Sequence, residues 1–285
     1  MNKKWEWFFL LQLTSELWGK LTGPYGSGEQ VPELLERLML DFKKEVLDEL
    51  FQEYLYHQNT IYTVTYAAVP YLAKLAFASK NREVRHEIYV TCGIIESCHE
   101  TASPEPYPSD LSTLAAEAGT GVCAEIYQSY LKAITELASL VPEISSYAKQ
   151  EISNDSEKRY ILIADAAYRE SRNVANMLLN FTAGDEYVAV CGACEQEAYL
   201  WPSEEDGHMQ AFAEDPVFEP LQTPHEITAA DLFVEEEHKI LAERAEQLGD
   251  SSFLNQLPYL AGEMNCPSCG LRIQVWPGLL SSFGG

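Results

Sequence analysis

Two matched cysteine pairs constrain the fold of this chain more than any other feature of its sequence. Cys191 and Cys194 open the segment CGACEQEAYLWP, and Cys266 and Cys269 open CPSCGLRIQVWP, so both segments have the form C-x2-C-x6-W-P, offset by 75 positions. The short spacing lets both thiolates of a pair bind one ion about 2.3 Å away, and two pairs complete a closed tetrahedral site with four cysteine ligands. The sequence therefore predicts one structural zinc ion, which contributes to folding and not to catalysis.

Each pair precedes a short alternating apolar run that is typical of a β-strand. We expect Pro202 and Pro277 to end these strands, because proline has no amide hydrogen for the sheet. Trp201 and Trp276 are then expected to pack on the two sides of the metal site. These features predict a small β zinc ribbon within residues 184–285.

The separation of the two pairs departs from that of an ordinary ribbon. There are 71 residues between Cys194 and Cys266, whereas ribbon pairs are usually separated by about 15 to 20 residues. We therefore expect an insertion at about residues 203–260 to bulge from the ribbon. Redox-active or free thiols are the alternative, although neither pair opens a helix after a strand as thioredoxin-like chemistry requires.

The insertion is strongly acidic. Residues 195–250 hold 16 acidic and two basic residues, which gives a charge of −14 out of a formal net charge of −25. The part up to about residue 224 is rich in proline and predicts a loop. Residues 229–248 predict a helix with Asp231 near its start and Gly249 after its end. Glu235, Glu236 and Glu237 are expected to point outward from it.

Residues 1–183 read as a succession of helices. Apolar residues recur at helical spacing in segments broken by short turn signals, which predicts seven or eight helices in a bundle or an α-solenoid. The first helix is predicted at residues 5–18 and a loop at residues 101–109, and Pro70 either starts or kinks a helix. Cys92, Cys98 and Cys123 lie singly in these helices, where a cysteine usually acts as a small buried apolar residue.

Charge and hydropathy exclude several classes of protein. A net charge of −25 argues against binding to nucleic acid or an anionic membrane and favours a basic partner. Residues 5–13 resemble the apolar core of a signal peptide, but Glu6 interrupts them and no cleavage site follows. Since no apolar run approaches the ~20 residues that cross a bilayer, we expect a cytoplasmic protein.

The sequence gives little support for an enzyme. It has no G-x-S-x-G, H-E-x-x-H or P-loop motif, and the glycines at 23, 26 and 28 follow no predicted strand. The prediction is therefore that the chain is not an enzyme. A hydrolase that uses two of its many carboxylates stays an open alternative.

Two stretches carry a family resemblance. Residues 55–62 (LYHQNTIY) and 67–72 (AAVPYL) resemble the signature LYHQGT(V/I)Y followed by AAVPFL of bacterial HEAT-repeat-like proteins, and residues 26–35 (GSGEQVPELL) resemble the helix that opens that fold. Asn59 stands where the family usually has glycine. The resemblance covers roughly residues 15–100 and, more loosely, the helices to about residue 182. It implies a HEAT-like α-solenoid over residues 1–183 and an immunity protein that neutralises a secreted toxin.

The polar residues of this signature have a structural interpretation beside a functional one. Tyr56, His57 and Gln58 are predicted at a helix end, where their side chains can satisfy backbone groups that the helix leaves open. The alternative is a direct contact of His57 with a partner.

The leading functional hypothesis is therefore an immunity protein that occludes a basic toxin, such as a nuclease or another nucleic-acid- or nucleotide-handling protein, with an acidic surface. A solvated face that only maintains solubility is the simpler interpretation of the same residues. A general protein-binding scaffold is the second hypothesis, and a nucleic-acid-binding zinc ribbon is the third and is disfavoured by the charge. The candidate partner-binding residues are Glu204, Glu205, Asp206, Glu235, Glu236 and Glu237.

Overall fold

The computed structural model describes residues 10–99, 106–203, 205 and 207–283. Helices make up more than half of these residues, and the fold is mainly α with an antiparallel sheet, which confirms the prediction that helices dominate the chain. None of the helices in these ranges combines the length and apolar character needed to cross a membrane. The helices are α1 (Val31–Leu40), α2 (Lys44–Leu50), α3 (Thr63–Ala78), α4 (Arg82–Ser97), α5 (Ser112–Ala118), α6 (Thr120–Ala138), α7 (Val141–Glu151), α8 (Asp155–Tyr168), α9 (Arg172–Asn180), α10 (Glu236–Leu248), α11 (Ser251–Leu260) and α12 (Val275–Leu280). The strands are β1 (Thr22–Gly23), β2 (Gly26–Ser27), β3 (Tyr56–His57), β4 (Thr60–Ile61), β5 (Tyr187–Val190), β6 (Glu197–Pro202), β7 (Met209–Phe212), β8 (His225–Thr228), β9 (Glu263–Asn265) and β10 (Arg272–Gln274).

The chain forms two compact units, Met1–Ile144 with Ala167–Glu170 and Ser145–Ala166 with Ser171–Gly285. Most of α8 and all of α9 therefore belong with the C-terminal sheet, although their helical pattern predicts a place with the N-terminal helices. A buried ion pair explains part of this grouping, because Arg159 Nε of α8 lies 2.8 Å from Asp250 Oδ2 just before α11 and both side chains are fully buried. The boundary at residue 183 as a limit between folding domains stays a prediction.

Helix α3 forms the centre of the first unit because its sequence is apolar on every side. Twelve of its 16 residues are buried, and it packs against α1, α4 and α6. A helix that is apolar all round is stable only when other elements surround it. Pro70 lies inside α3 and does not start a new helix. The stacking of these helices as an α-solenoid stays a prediction.

The signature residues 55–62 form a tight β-hairpin. Strands β3 and β4 pair through Tyr56 with Ile61, and Gln58 and Asn59 connect them with φ angles of 49° and 57°. Asparagine is among the few residues that adopt this left-handed conformation readily, so Asn59 suits a position where the related signature has glycine.

A short π-helix at Phe51–Leu55 precedes this hairpin, and a side chain of α3 bonds its last carbonyl. The Thr65 hydroxyl of α3 donates to the Leu55 carbonyl at 2.7 Å. The Tyr56 hydroxyl donates to Asn59 Oδ1 at 2.7 Å, while His57 Nδ1 lies 3.1 Å from the Tyr25 hydroxyl. The bond between Tyr56 and Asn59 therefore stabilises the turn. The Leu55 carbonyl at the end of the helix is bonded by Thr65 of α3.

A partly buried ion pair lies between α2 and α4. Lys44 Nζ lies 2.6 Å from Glu87 Oε2. Burial alone would raise the pKa of the Glu87 carboxyl, but hydrogen bonds from His86 and Lys44 lower its pKa to about 2. The carboxylate is therefore favoured strongly over the neutral acid in the folded protein.

The predicted first helix at residues 5–18 is wrong over its described part. Residues 10–15 are not helical, and only a short 3₁₀ helix follows at Glu16–Lys20. The reason is a local turn: the Ser15 side chain accepts from the Leu17 N–H, and the buried Trp18 ring donates from Nε1 to the Gln12 carbonyl at 3.1 Å. Residues 5–9 lie outside the described ranges, as do residues 101–105 of the predicted loop.

The acidic insertion builds the sheet instead of bulging from a ribbon. The six-stranded antiparallel sheet has the order β10-β9-β8-β7-β6-β5, and β6 to β9 all lie between the two cysteine pairs. The predicted loop up to residue 224 therefore contains β7, in which Met209 and Ala211 are buried. Pairing of Ala211 with Leu200 of β6 places both apolar side chains in the core.

Helix α10 is shorter than the helix predicted at residues 229–248. It begins at Glu236, because the Ala230 N–H donates to the Pro258 carbonyl at 2.8 Å and holds the preceding segment in a non-helical conformation. The predicted end is confirmed, since Gly249 has a left-handed conformation with a φ angle of 71°. Leu232, which the longer helix would have turned toward a neighbour, is 82% exposed.

Candidate metal centre

The structure brings the four cysteines of the two matched pairs into one cluster. The sulfur atoms of Cys191, Cys194, Cys266 and Cys269 all lie within 4.8 Å of one another. The Cys191 and Cys269 sulfurs are 3.9 Å apart, and the Cys194 and Cys266 sulfurs are 3.7 Å apart. This is the only group of three or more metal-ligating side chains found among the described residues.

These separations have the size that a tetrahedral thiolate site requires. A metal–sulfur bond of about 2.3 Å in a regular tetrahedron separates the sulfur atoms by about 3.8 Å. A disulfide would instead place two sulfurs about 2.0 Å apart, and all four cysteines are free. The four residues can therefore hold one metal ion without rearrangement of their backbone.

The two turns that carry the cysteines have the same backbone hydrogen bonds. We call residues 191–196 the first knuckle and residues 266–271 the second knuckle. The Cys191 N–H donates to the Gln196 carbonyl at 2.9 Å, and the Cys266 N–H donates to the Leu271 carbonyl at 2.8 Å. The sequence repeat at an offset of 75 positions thus corresponds to a repeated local structure.

A left-handed residue closes both knuckles at the equivalent position. Glu195 and Gly270 have φ angles of 59° and 74°. Their N–H groups donate to the Cys191 and Cys266 carbonyls at 2.8 Å and 2.9 Å. Glycine adopts this conformation without steric cost, whereas glutamate pays about 1–2 kcal/mol for it. The first knuckle is therefore strained at one residue where the second is not.

Opposite edges of the sheet supply the two knuckles. The first knuckle connects β5 to β6 at one edge, and the second connects β9 to β10 at the other. The sheet must therefore curl to bring the two turns together. Helix α12 follows β10 and packs on β5, where a Cβ atom added to Gly278 would lie 2.9 Å from the Val190 carbonyl oxygen. This close approach next to Cys191 supports the curled arrangement.

Backbone N–H groups favour thiolate formation at one cysteine of the cluster. The N–H groups of Ala193 and Cys194 point at the Cys191 sulfur and lower the pKa of this thiol to about 7. The N–H of Gln196 also lowers the pKa of Cys194, but burial and the three neighbouring cysteines raise it to about 12. Four sulfurs this close cannot all ionise by themselves, and a cation at their centre removes the repulsion.

The cluster is covered on one side and accessible on the other. Cys191 and Cys266 are buried, Cys194 is half-buried and Cys269 is exposed. Four thiolates fill a tetrahedral coordination sphere and leave no position for water or substrate. The donor set is therefore that of a structural site.

The predicted tryptophan packing is wrong for the first knuckle. Glu197 of β6 pairs with Val190 beside the cluster, whereas Trp201 pairs with Gln210 near the far end of the same strand. At about 3.3 Å per residue, Trp201 lies well away from the sulfurs. Two apparently equivalent tryptophans therefore have different surroundings.

The second matched tryptophan lies in a helix. Strand β10 ends at Gln274, and Trp276 and Pro277 belong to α12, so Pro277 does not end the strand as predicted. The prediction for Pro202 holds, because β6 ends there. The Trp276 ring packs against the His238 ring in a T-shaped arrangement, with centroids 4.6 Å apart.

The remaining three cysteines are remote in sequence from the cluster and occupy helical or turn positions. Cys92 and Cys123 are buried, as predicted, and Cys98 is half-buried. Burial raises the pKa of the Cys92 thiol well above its usual value. A thiol with this property is unreactive near neutral pH.

The candidate partner-binding acids that the structure describes lie in two segments of the chain. Glu205 is exposed in the turn between β6 and β7, and Glu235 and Glu236 are exposed at the start of α10. Glu237 is half-buried and accepts a hydrogen bond from the Ser171 hydroxyl at 3.0 Å, so it does not point fully outward as predicted. Glu204 and Asp206 lie outside the described residues.

A cavity that no sequence motif indicates lies beside α10. Its volume is about 450 Å³, and it is lined by residues of the segment before α10, of the turn before β9 and of β10. His238 lines it, and its Nε2 atom is buried without a hydrogen-bond partner. No motif marks this histidine, because the segments that enclose the cavity are far apart in the chain.

Comparison with known proteins gives no match of any kind: no family model, curated protein or solved structure is significantly similar to this chain. The assignment of function therefore depends on the sequence and on the geometry described above.

Proposed function

We propose that the four-cysteine cluster binds one structural zinc ion and forms the metal site of a modified zinc ribbon. The sulfur–sulfur separations near 3.8 Å and the two equivalent knuckles support this proposal. Zinc accepts four thiolates in tetrahedral geometry without redox chemistry, which suits a site that has no open position. The ion would connect the opposite edges of the sheet and so stabilise its curl.

We further propose that the protein is an immunity protein that binds a basic secreted toxin. The observation that carries this proposal is the net charge of −25, of which −14 lies in residues 195–250. An acidic surface raises the rate of encounter with a basic protein and competes with the anionic substrate of a nuclease. The resemblance of residues 55–72 to HEAT-like immunity proteins supports the same class of partner. In this proposal the protein is cytoplasmic and is not an enzyme.

Exposed apolar side chains favour a protein as the partner. Phe218, Leu221, Leu232 and Val234 of the insertion are each at least 80% exposed. Large apolar side chains at the surface mark interaction sites when they occur in groups. The same observation favours the second candidate function, a general protein-binding scaffold, in which the partner is a cellular protein and need not be basic.

A binding experiment with the product of the adjacent gene separates these two functions. The affinity of the purified pair is measured by calorimetry at 50 mM and 300 mM NaCl. An immunity function predicts a tight complex whose affinity falls as salt rises, because the Debye length shrinks below about 10 Å above 0.1 M salt. Hen lysozyme serves as a basic non-cognate control.

Neutralisation of the six candidate acids tests the proposed surface. We expect Gln or Asn at positions 204, 205, 206, 235, 236 and 237 to weaken the complex and to reduce its salt dependence. Six exposed acids elsewhere, changed in the same way, are the matched control. Unchanged affinity at low salt would refute the role of these residues. Absence of a complex with the adjacent gene product would favour the scaffold.

A further inference from the structure

The cavity beside α10 combines a pocket of binding size with an excess of acidic side chains. Its volume of about 450 Å³ lies within the range of about 300–1,000 Å³ that is usual for binding pockets. Asp231, Glu235, Glu263 and Arg272 are the charged residues that line it. The lining therefore carries three carboxylates and one guanidinium group.

Two of these carboxylates are available to a ligand. The guanidinium group of Arg272 donates to Glu263, which also accepts from Gln274 Nε2. Asp231 has no ion-pair partner in the described part of the chain and is exposed. Glu235 is also exposed, and its Oε2 atom lies 4.0 Å from His238 Nε2. The cavity therefore presents two exposed carboxylates.

His238 adds a buried polar atom, Nε2, that accepts or donates no hydrogen bond within the described part of the chain. Its side chain is 5% exposed, and its Nε2 atom has no hydrogen bond. Its ring is held between Trp276 and Phe233, with centroid distances of 4.6 Å and 6.1 Å. A buried polar atom without a hydrogen bond destabilises the folded protein. A ligand that donates a hydrogen bond to this atom would remove that cost.

The rim of the cavity is aliphatic. Leu232 and Val234 line it and are 82% and 84% exposed. Both lie between Asp231 and Glu235 in sequence, so the cavity offers apolar contact next to negative charge. An arginine side chain has this combination, because its aliphatic stem packs on apolar surface while its planar guanidinium donates up to five hydrogen bonds.

We propose that this cavity binds an arginine side chain of a basic protein partner. The guanidinium group would lie between Asp231 and Glu235 and donate to His238, and the stem would pack on Leu232 and Val234. The inference rests on the proposed function for the source of the arginine. It adds a defined binding pocket to an otherwise diffuse acidic surface.

The test uses a short peptide in place of the toxin. N-acetyl-leucyl-arginyl-leucinamide is titrated into the full-length protein while the imidazole signals are followed by ¹H–¹³C NMR. The signal of His238 is assigned among the six histidines by its loss in His238→Gln. We expect a saturable shift of this signal with a millimolar or tighter dissociation constant. The citrulline peptide, which has the same shape and no charge, should give none.

A pair of variants tests the role of the two carboxylates. Because both side chains are exposed, the double variant Asp231→Asn with Glu235→Gln should fold normally. It should bind the arginine peptide with an affinity lower by about fivefold or more. The control is Glu243→Gln with Glu246→Gln, two exposed acids of α10 outside the cavity lining that remove the same charge. Three results would overturn the inference. They are an equal loss of peptide affinity in the two double variants, a citrulline peptide that binds as tightly as the arginine peptide, and no shift of the His238 signal.

The peptide result and the toxin result are independent. A complex with the adjacent gene product together with no peptide binding would overturn the pocket and leave the immunity function standing. Peptide binding without such a complex would support the pocket and argue against that function.

Discussion

Replacement of Asp250 by alanine should destabilise the second unit strongly. Asp250 accepts from Arg159 Nε at 2.8 Å and Nη2 at 3.3 Å, and it also caps α11 by accepting from the Phe253 N–H at 2.9 Å. Removal of one partner of a buried ion pair costs about 3–5 kcal/mol, and loss of a helix cap costs about 1 kcal/mol. The free energy of unfolding should therefore fall by about 4–6 kcal/mol, a large part of the 5–15 kcal/mol typical of a domain.

A double variant distinguishes an unpaired charge from lost packing. Arg159→Met with Asp250→Asn removes both charges and keeps an oxygen that can cap α11. It should recover about 2–3 kcal/mol relative to Asp250→Ala. The assay is urea unfolding followed by circular dichroism, with Glu236→Ala, which breaks an exposed pair with Lys239, as the control. A loss below about 1 kcal/mol for Asp250→Ala, the value of an exposed pair, would refute the reasoning.

Three further predictions concern single side chains. The folded-state pKa of Glu87 is about 2, below its usual 4.5, so this carboxylate stabilises the folded protein above pH 4.5 and the stabilisation is lost as pH falls toward 2. Glu87→Gln should therefore reduce the fall in the free energy of unfolding between pH 6 and pH 2 by about 1 kcal/mol, a value that allows for the solvent exposure of Lys44. Glu195→Gly should stabilise the metal-bound protein by about 0.5–1 kcal/mol in thermal unfolding, because it relieves a left-handed φ; a loss of stability would contradict the equivalence of the knuckles. Gly278→Ala should lower the free energy of unfolding by about 1–3 kcal/mol, because the added Cβ atom meets the Val190 carbonyl. The variant should also lose its metal ion faster during dialysis against a chelator. Unchanged metal retention would show that α12 does not support the site.

The cysteine cluster was predictable because its signal is local and repeated. Each C-x-x-C pair fixes the geometry of its own turn, and the match between residues 191–202 and 266–277 indicates two equivalent halves. The structure confirms that the four side chains come together. The prediction of a mainly α fold holds for a similar reason, since helical periodicity is visible within single segments.

Most of the features that were wrong, apart from the first helix, depend on contacts between distant segments. Strand β7 has only four residues, and its place in the sheet follows from pairing with β6, which composition alone does not show. The late start of α10 follows from the hydrogen bond between Ala230 and Pro258. Trp201 and Trp276 occupy equivalent sequence positions, but β6 continues to Pro202 after the first knuckle, whereas β10 ends at Gln274 and α12 begins at Val275 after the second. Local repetition therefore predicts the knuckles and the strand after each, and not where that strand ends.

The most direct test of the proposed zinc site is elemental analysis combined with X-ray absorption at the zinc edge. The protein is purified without added metal, and Cys269→Ser and Cys92→Ser are prepared as the site variant and its control. The proposal predicts one zinc ion per chain with four sulfur ligands at about 2.3 Å, reduced occupancy in Cys269→Ser and full occupancy in Cys92→Ser. Metal-free protein, a coordination shell with oxygen or nitrogen, or disulfides between the four cysteines would contradict it.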